Sequence, residues 1–263
     1  MHPYRAGYAD PMTDPADPLP RLARTEAAGH ARYGEKGAVA RFGPLVAVFA
    51  GPNLPVDTAW HDGSGRLREA DLEAFETFSA AHGQSATLHV LSHAAPPLLP
   101  LLRSRGYLLE YVLHVYTYDL TSLPLPSTPA PALDIREEPD ADAWAALSTR
   151  GFGPGSEAIM RVVAHAPGTR RFVALVDGKP AATAALSVQD GIAALYGTST
   201  LPEFRGRGAQ AALLAVRLRQ AAETGADLAS VFVTPGTGSE RNVRRAGFGL
   251  AGMRLTFTRE GRE

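Results

Sequence analysis

The two halves of this chain repeat each other, and a chain that repeats must bury the same apolar faces twice. Placing Gly106-Tyr107 on Gly247-Phe248 pairs LRSRGYLLEYVLHVYT with VRRAGFGLAGMRLTFT, setting Tyr116 opposite Phe257 and Thr117 opposite Thr258. Upstream, with small changes of length, ATLHV (Ala86 to Val90) falls on ASVFV (Ala229 to Val233), and AAHG (Ala80 to Gly83) on AETG (Ala222 to Gly225). Chance similarity in an alanine-rich sequence is the competing explanation. The 263 residues suit two domains of ordinary size. TSLPLPSTPAPA, Thr121 to Ala132, carries four prolines, too many for a helix interior or a central strand. The chain therefore divides into an irregular Pro-rich arm (1–20), a first domain (21–120), a linker (121–132) and a second domain (133–263).

Periodicity places the elements. In the first half, Leu22 to Tyr33 reads as a short helix, and AVARFGPLVAVFAG as two strands turning at Gly43-Pro44. Pro52 to Gly65 reads as loop. Arg68 to Gly83 shows a helical apolar stripe at Leu72, Phe75, Phe78 and Ala81 with an acidic first turn. Ala86 to Leu91 (strand), Pro97 to Arg105 (short helix) and Tyr107 to Leu120 (β) follow. In the second half, a strand (Leu133 to Glu137) and two helices (Ala141 to Arg150, Ser156 to His165) precede three strands joined at Asp177-Gly178 and Asp190-Gly191. A helix, strand Leu228 to Val233, helix Gly238 to Ala246 and a last β segment close the chain. The fold class is α/β, an α+β mixed sheet.

The chemistry concentrates in IAALYGTSTLPEFRGRGAQAALLAVRLR, Ile192 to Arg219, which reads as strand, loop and helix. Gly206 and Gly208 let the backbone turn sharply and approach a ligand, and the free N–H groups of the following helix N-terminus favour an anion. Arg205 and Arg207 add positive charge. The stretch is a pyrophosphate cradle by its physics; a plain strand-to-helix turn uses the same glycines.

The segment from about Leu133 resembles the GNAT superfamily of acyl-CoA-dependent N-acyltransferases. Arg205, Gly208 and Gln210 occupy the places of its loop pattern, and Asn242 with Gly247-Phe248 match its closing Asn…GF segment. Through the repeat, the resemblance extends more weakly to the first half, giving two tandem GNAT-like domains. It implies that acetyl-CoA is the cosubstrate. Ser199, Thr200 and Leu201 would offer backbone groups to the pantetheine arm, and Arg205, Gly206, Arg207, Gly208, Ala209 and Gln210 would hold the phosphates, with Asn242 nearby. It also implies direct acetyl transfer to an amine in a ternary complex. Two positions depart from the pattern. Gln210 stands where a small residue is usual, so its side chain turns outward or the backbone path differs. Val243 stands where many members carry the tyrosine that protonates the departing thiolate. Ser239, one turn earlier, is the substitute candidate; its alternative role is helix capping. With that acid missing, a catalytically weak CoA-binding sensor or interaction protein is the second reading.

Base candidates are Glu157, His165, Asp190 and Glu240. Tyr196 is assigned to core packing. Arg217, Arg219, Arg241, Arg244 and Arg245 are candidates for the CoA 3′-phosphate or for nucleic acid, against two exposed helix faces as the commoner explanation. In the first half, the cradle's counterpart (Thr58 to Ala74) keeps Gly63 and Gly65 but adds Asp62, Glu69 and Asp71, which repel a pyrophosphate. That half is a degenerate copy expected to shape the acceptor cleft or a dimer face. The absence of cysteine excludes disulfides and an acyl-cysteine route. His89 and His93 run from strand into loop, so no metal site is expected. A formal net charge of −1 gives no case for nucleic acid or an anionic membrane. The expected partners are a small-molecule or peptide amine and, as an open alternative, a second copy of the chain. The expected location is cytoplasmic.

Overall fold

The computed structural model describes residues 17–126 and 133–259. The expected arm, up to residue 16, and residues 127–132 of the linker lie outside the described residues. The elements in chain order are α1 (Leu19–His30), β1 (Ala38–Phe42), β2 (Leu45–Phe49), β3 (Ala59–His61), α2 (Glu69–Ala81), β4 (Ala86–Leu91), α3 (Leu99–Ser104) and β5 (Leu108–Asp119). The second half adds β6 (Leu133–Glu137), α4 (Ala141–Phe152), α5 (Glu157–His165), β7 (Arg170–Val176), β8 (Lys179–Gln189), β9 (Ile192–Thr200), α6 (Ala209–Glu223), β10 (Leu228–Val233), α7 (Gly238–Arg245) and β11 (Gly249–Arg259). Two expectations shift. Helix α1 starts at Leu19, because a proline in the first turn loses no hydrogen bond. The segment Pro52 to Gly65 contains β3, whose three residues are too few to show a period.

The strands of the described residues form one eleven-stranded sheet, in the order β1-β2-β3-β4-β11-β5-β10-β9-β8-β7-β6. The last strand of each half lies beside the other half: β11 inserts between β4 and β5, and β5 pairs with β10. The sequence repeat is visible in this register. With Gly106 placed on Gly247, Leu113 and Arg254 are equivalent, and they are paired with each other. Around them, Val112–Leu255 maps onto His114–Met253, Tyr111–Thr256 onto Val115–Gly252, and Leu109–Phe257 onto Tyr116–Leu250. The two bulges of this strand pair, at Leu250/Gly252 and Thr256/Phe257, exchange as well. Outward, Leu88–Phe257 maps onto Val231–Tyr116. The sheet thus has a pseudo-two-fold axis through Leu113 and Arg254.

Side-chain alternation gives the sheet two covered faces. On one, α6 and α7 pack with Leu186, Ala193 and Tyr116, while α2 and α3 pack with Leu88, Val90 and Phe257. The other face carries α1 over Trp60, Val115 and Ile192, and α4 with α5 over Val173 and Ala185. Burial of these apolar side chains, at roughly 25 cal/mol per Å², is what holds helices on both sides. Between α1 and α4 the second face is left open, and the cleft described next lies there.

Candidate active site

Two cavities meet at β9 and β10. These parallel strands pair only at Ile192–Leu228, Ala193–Ala229 and Ala194–Ser230, although β9 continues to Thr200 and β10 to Val233. Beyond Ala194 they diverge. Gly197 lies within the parted segment: its φ is +60, it sits at a register shift against β8, and a Cβ there would lie 2.9 Å from Trp144. Arg217 of α6 supports the bulge from behind, donating Nη1 to the carbonyls of Ala185 (3.0 Å) and Tyr196 (3.4 Å). It is 3% exposed, and burial pulls its guanidinium down to about 9. Arg217 therefore lies beneath the sheet and faces no phosphate at the surface.

The first cavity, about 480 Å³, opens at the α6 N-terminus and is lined by Thr200, Arg205, Gly206, Gly208, Ala209, Gln210, Ser239 and Asn242 among others. Gly206 and Gly208 have φ of +78 and +81; a Cβ on Gly206 would meet nothing within 4 Å, so the loop presents bare backbone to open space. Gln210 does not turn outward: its Oε1 accepts from Asn242 Nδ2 (2.9 Å), tying α6 to α7. The Thr200 Oγ1 is buried at the cavity wall without a partner among the described residues. Three of the expected residues lie elsewhere. Leu201 donates its amide to Ala181 and accepts from Phe204, so its amide is not free. Ser199 turns its hydroxyl to Thr183 (2.9 Å) beneath α4. Arg207 bonds Asp177 (3.3 Å) and stacks on Phe204. Since the Leu201 amide points to β8, strand alternation turns the backbone groups of Thr200 to the side that β10 has left.

The second cavity, about 570 Å³, occupies the opposite face between α1 and α4. Its floor spans β4, β5, β11, β10 and β9 through His89, Leu113, Arg254, Phe232 and Tyr196; α1 and the turn after it contribute Glu26, His30, Arg32 and Tyr33. Ser239 lines both cavities. It is exposed in the first turn of α7, and the cap of that helix is Thr237, whose Oγ1 accepts the Glu240 amide (3.4 Å), so Ser239 does not cap it. Val243 is 4% exposed within the apolar core.

None of the four expected bases occupies the cleft. Glu157 and His165 are exposed on α5, the latter against Asp142 (3.1 Å), and Asp190 sits exposed in a hairpin turn. Glu240 accepts from Gly236 N (2.7 Å) and Tyr116 Oη (3.0 Å) and bonds His114 Nδ1 (2.6 Å). The His114 bond and these donors hold its carboxyl down at about 2, which suits a structural clamp and not a base. The acid in the cleft is Glu26. Burial pushes its carboxyl up to about 7, against the opposing pull of Arg32 and Arg254, and Ser230 Oγ lies 3.5 Å away. Burial also lowers His30 to about 4 and His89 well below its ordinary value. Glu26 belongs to the first half, outside the segment whose motifs carry the resemblance, so those motifs do not point to it. Its signal was an acid on the buried face of α1, in line with Leu22, His30 and Tyr33 at helical spacing. Tyr196, assigned to the core, lines the cleft and bonds Thr169 (2.9 Å). His89 bonds Thr256 (3.0 Å).

In the first half, Asp71 takes the Arg68 amide at the start of α2 (3.1 Å), and Asp62 takes the Ser64 amide (2.9 Å). Carboxylates thus occupy amides at the counterpart of the cradle. A Cβ on Gly63 would lie 2.9 Å from Ala23, so this turn is closed by α1.

Residues 133–248 match the family model described as acetyltransferase (GNAT) family. That segment is a GNAT-family acetyltransferase domain. No curated protein matches the chain in sequence. Among solved structures, a GCN5-related N-acetyltransferase from Kribbella flavida aligns with TM-score 0.74 and 22% identity, over 93% of this chain and 96% of that one. A tandem GNAT protein from the clavulanic acid biosynthesis pathway aligns with TM-score 0.57 and 16% identity, over 83% and 78%. A GCN5-related N-acetyltransferase from Sphaerobacter thermophilus aligns with TM-score 0.51 and 18% identity, over 92% of both. At these identities the likeness is one of fold, and it extends across both halves of the sheet.

Proposed function

We propose that the protein transfers an acetyl group from acetyl-CoA directly to an amine held in the cleft between α1 and α4. The observation that carries this reading is the parting of β9 and β10, which joins an anion cradle on one face to a cleft with a buried carboxyl on the other. The residues present fit the cosubstrate: open backbone at Gly206, the left-handed turn at Gly208, the Ala209 helix start, and the Thr200 Oγ1, unpartnered among the described residues. Acetyl-CoA supplies an activated thioester. Arg205 and the amides of 206–210 hold its phosphates, and the Thr200 backbone pairs with its arm. Glu26 accepts the proton that the ammonium must lose before nitrogen attacks the acyl carbon. As the N–C bond forms and the C–S bond breaks, the nitrogen sheds its second proton, which passes through Ser239 or water to the departing sulfur, so that neither relay is left deprotonated.

In this reading residues 21–120 are the degenerate copy. That half has exchanged anion binding for acceptor binding, since Asp62 and Asp71 fill its cradle while its α1 walls the cleft. A second reading, a CoA sensor with little turnover, is favoured by Val243, which leaves no phenol at the thiolate. Purified full-length protein mixed with acetyl-CoA and a panel of amines, with free thiol followed, separates the two. Turnover on any amine supports transfer; tight CoA binding with no turnover supports the sensor.

A further inference from the structure

We propose that the acceptor carries an anionic group, a carboxylate or a phosphate, near its amine, and that Arg254 receives it with Arg32 as the second cation. This rests on the transfer reading and names the class of acceptor for the same cleft. Both guanidinium groups line the cavity, and both have a buried Nε without a partner among the described residues. Their remaining bonds go to neutral hydroxyls: Arg254 Nη2 to Tyr111 (3.1 Å), and Arg32 to Tyr33 (3.1 Å) and Thr169 (3.4 Å). Aromatic rings, not carboxylates, hold them. Arg254 lies 5.5–5.6 Å from the ring centres of Tyr111, Trp60 and Phe232, and Arg32 lies 4.9 and 5.0 Å from those of Tyr33 and Tyr196.

Among the described residues, no ion pair involves either arginine. Glu26 is the carboxyl among the cavity's lining residues, and it remains protonated to near neutrality beside both cations. One titrating acid does not neutralise two fixed cations, and a buried charge without a counter-ion is costly. An anion entering the cleft supplies the missing partner and meets an unused Nε donor on each side. The same ligand sets its amine beside Glu26, on which both arginines act.

The test uses full-length protein with acetyl-CoA and pairs of amines that differ only in the anionic group: an amino acid against its carboxamide, and phosphoethanolamine against ethanolamine. The expected result is a kcat/KM at least about tenfold higher for the anionic member of one pair. The pair that responds identifies carboxylate or phosphate. Arg254→Gln abolishes that preference mainly through KM, Arg254→Lys restores part of it, and Arg32→Gln weakens it; CoA affinity stays unchanged in all three, which reports an intact fold. Neutral members used equally well, or a preference that survives Arg254→Gln, overturns the inference while leaving transfer intact. Where CoA binds but no amine turns over, transfer fails. Calorimetric titration of inorganic phosphate and N-acetylglycine then decides the anion site: binding lost in Arg254→Gln upholds it, and no binding overturns it.

Discussion

Replacing Glu26 by glutamine separates catalysis from stability, because the proposed base role and the burial of the carboxyl give the two effects opposite signs. The carboxyl is raised from an ordinary 4.5 to about 7 by burial. At 1.36 kcal/mol per unit, that displacement amounts to about 3 kcal/mol. A raised carboxyl binds its proton more tightly in the folded state, so its stabilisation is complete below pH 4.5 and is lost as pH rises through about 7. Glutamine keeps the shape and hydrogen bonding of the neutral acid at every pH. Glu26→Gln should therefore raise the melting temperature by roughly 5–10 °C at pH 8 and leave it unchanged at pH 4. Activity moves the other way. Wild-type kcat/KM should climb with pH to a plateau above about 7, and the variant should lose about 10²–10⁴-fold and the limb itself. The groups facing Glu26 are Arg32, Arg254, His30, His89, Tyr33 and Ser230. His30 and His89 titrate well below this limb, and Tyr33 is raised to about 12, so none of them mimics it. A differential melting series and a pH–rate profile on both proteins suffice. An unchanged limb in the variant, or lower stability at pH 8, refutes the assignment.

Three further outcomes follow from the geometry. Gly208→Ala should weaken CoA binding at least about tenfold by calorimetry, because φ of +81 strains any side chain; Gly225→Ala, with the same φ but outside the cradle, should not. Ser239→Ala should lower kcat several-fold with CoA affinity unchanged, and an unaffected kcat assigns the sulfur's proton to water. A fragment ending at Ser122 lacks β11, the neighbour of both β4 and β5, and should show no cooperative melting until the complementary fragment 123–263 is added.

The sequence was most legible where one local signal fixed one local geometry. Glycines 206 and 208 did adopt left-handed backbone ahead of a helix at Ala209, and the hairpins at Asp177-Gly178 and Asp190-Gly191 formed. The repeat was legible to the level of paired residues, since its alignment maps the register of β5 and β11 onto itself. What escaped required distance in the chain. The exchange of β5 and β11 between halves leaves no local trace, because each strand has the same apolar pattern whichever neighbour it takes. The cleft also escaped: Glu26 and Arg254 stand 228 positions apart (254 minus 26), and each alone reads as a solvated charge. Leu201 fails for a similar reason, its amide being claimed by Ala181 across a strand pair that spacing does not reveal.

The symmetry also accounts for there being one candidate site in a sheet built from two copies. Leu113 and Arg254 are equivalent positions paired on the pseudo-axis, and both line the cleft. Were the halves identical, the axis would set either two leucines or two arginines side by side. Two leucines would leave the floor without a cation, and two arginines would repel across a single strand pair. A site on the axis can therefore carry one cation only when the copies differ. The same holds one layer out, where Trp60 of β3 and Tyr196 of β9 stand at corresponding places and stack on different arginines. Restoring the symmetry tests this directly. Leu113→Arg in the wild-type protein places a second guanidinium against Arg254 and should lower stability by about 1–3 kcal/mol, whereas in Arg254→Leu it exchanges the two residues across the axis and should recover most of that loss. A double variant no more stable than Leu113→Arg alone would show that the floor's charge is fixed by its surroundings and not by the axis.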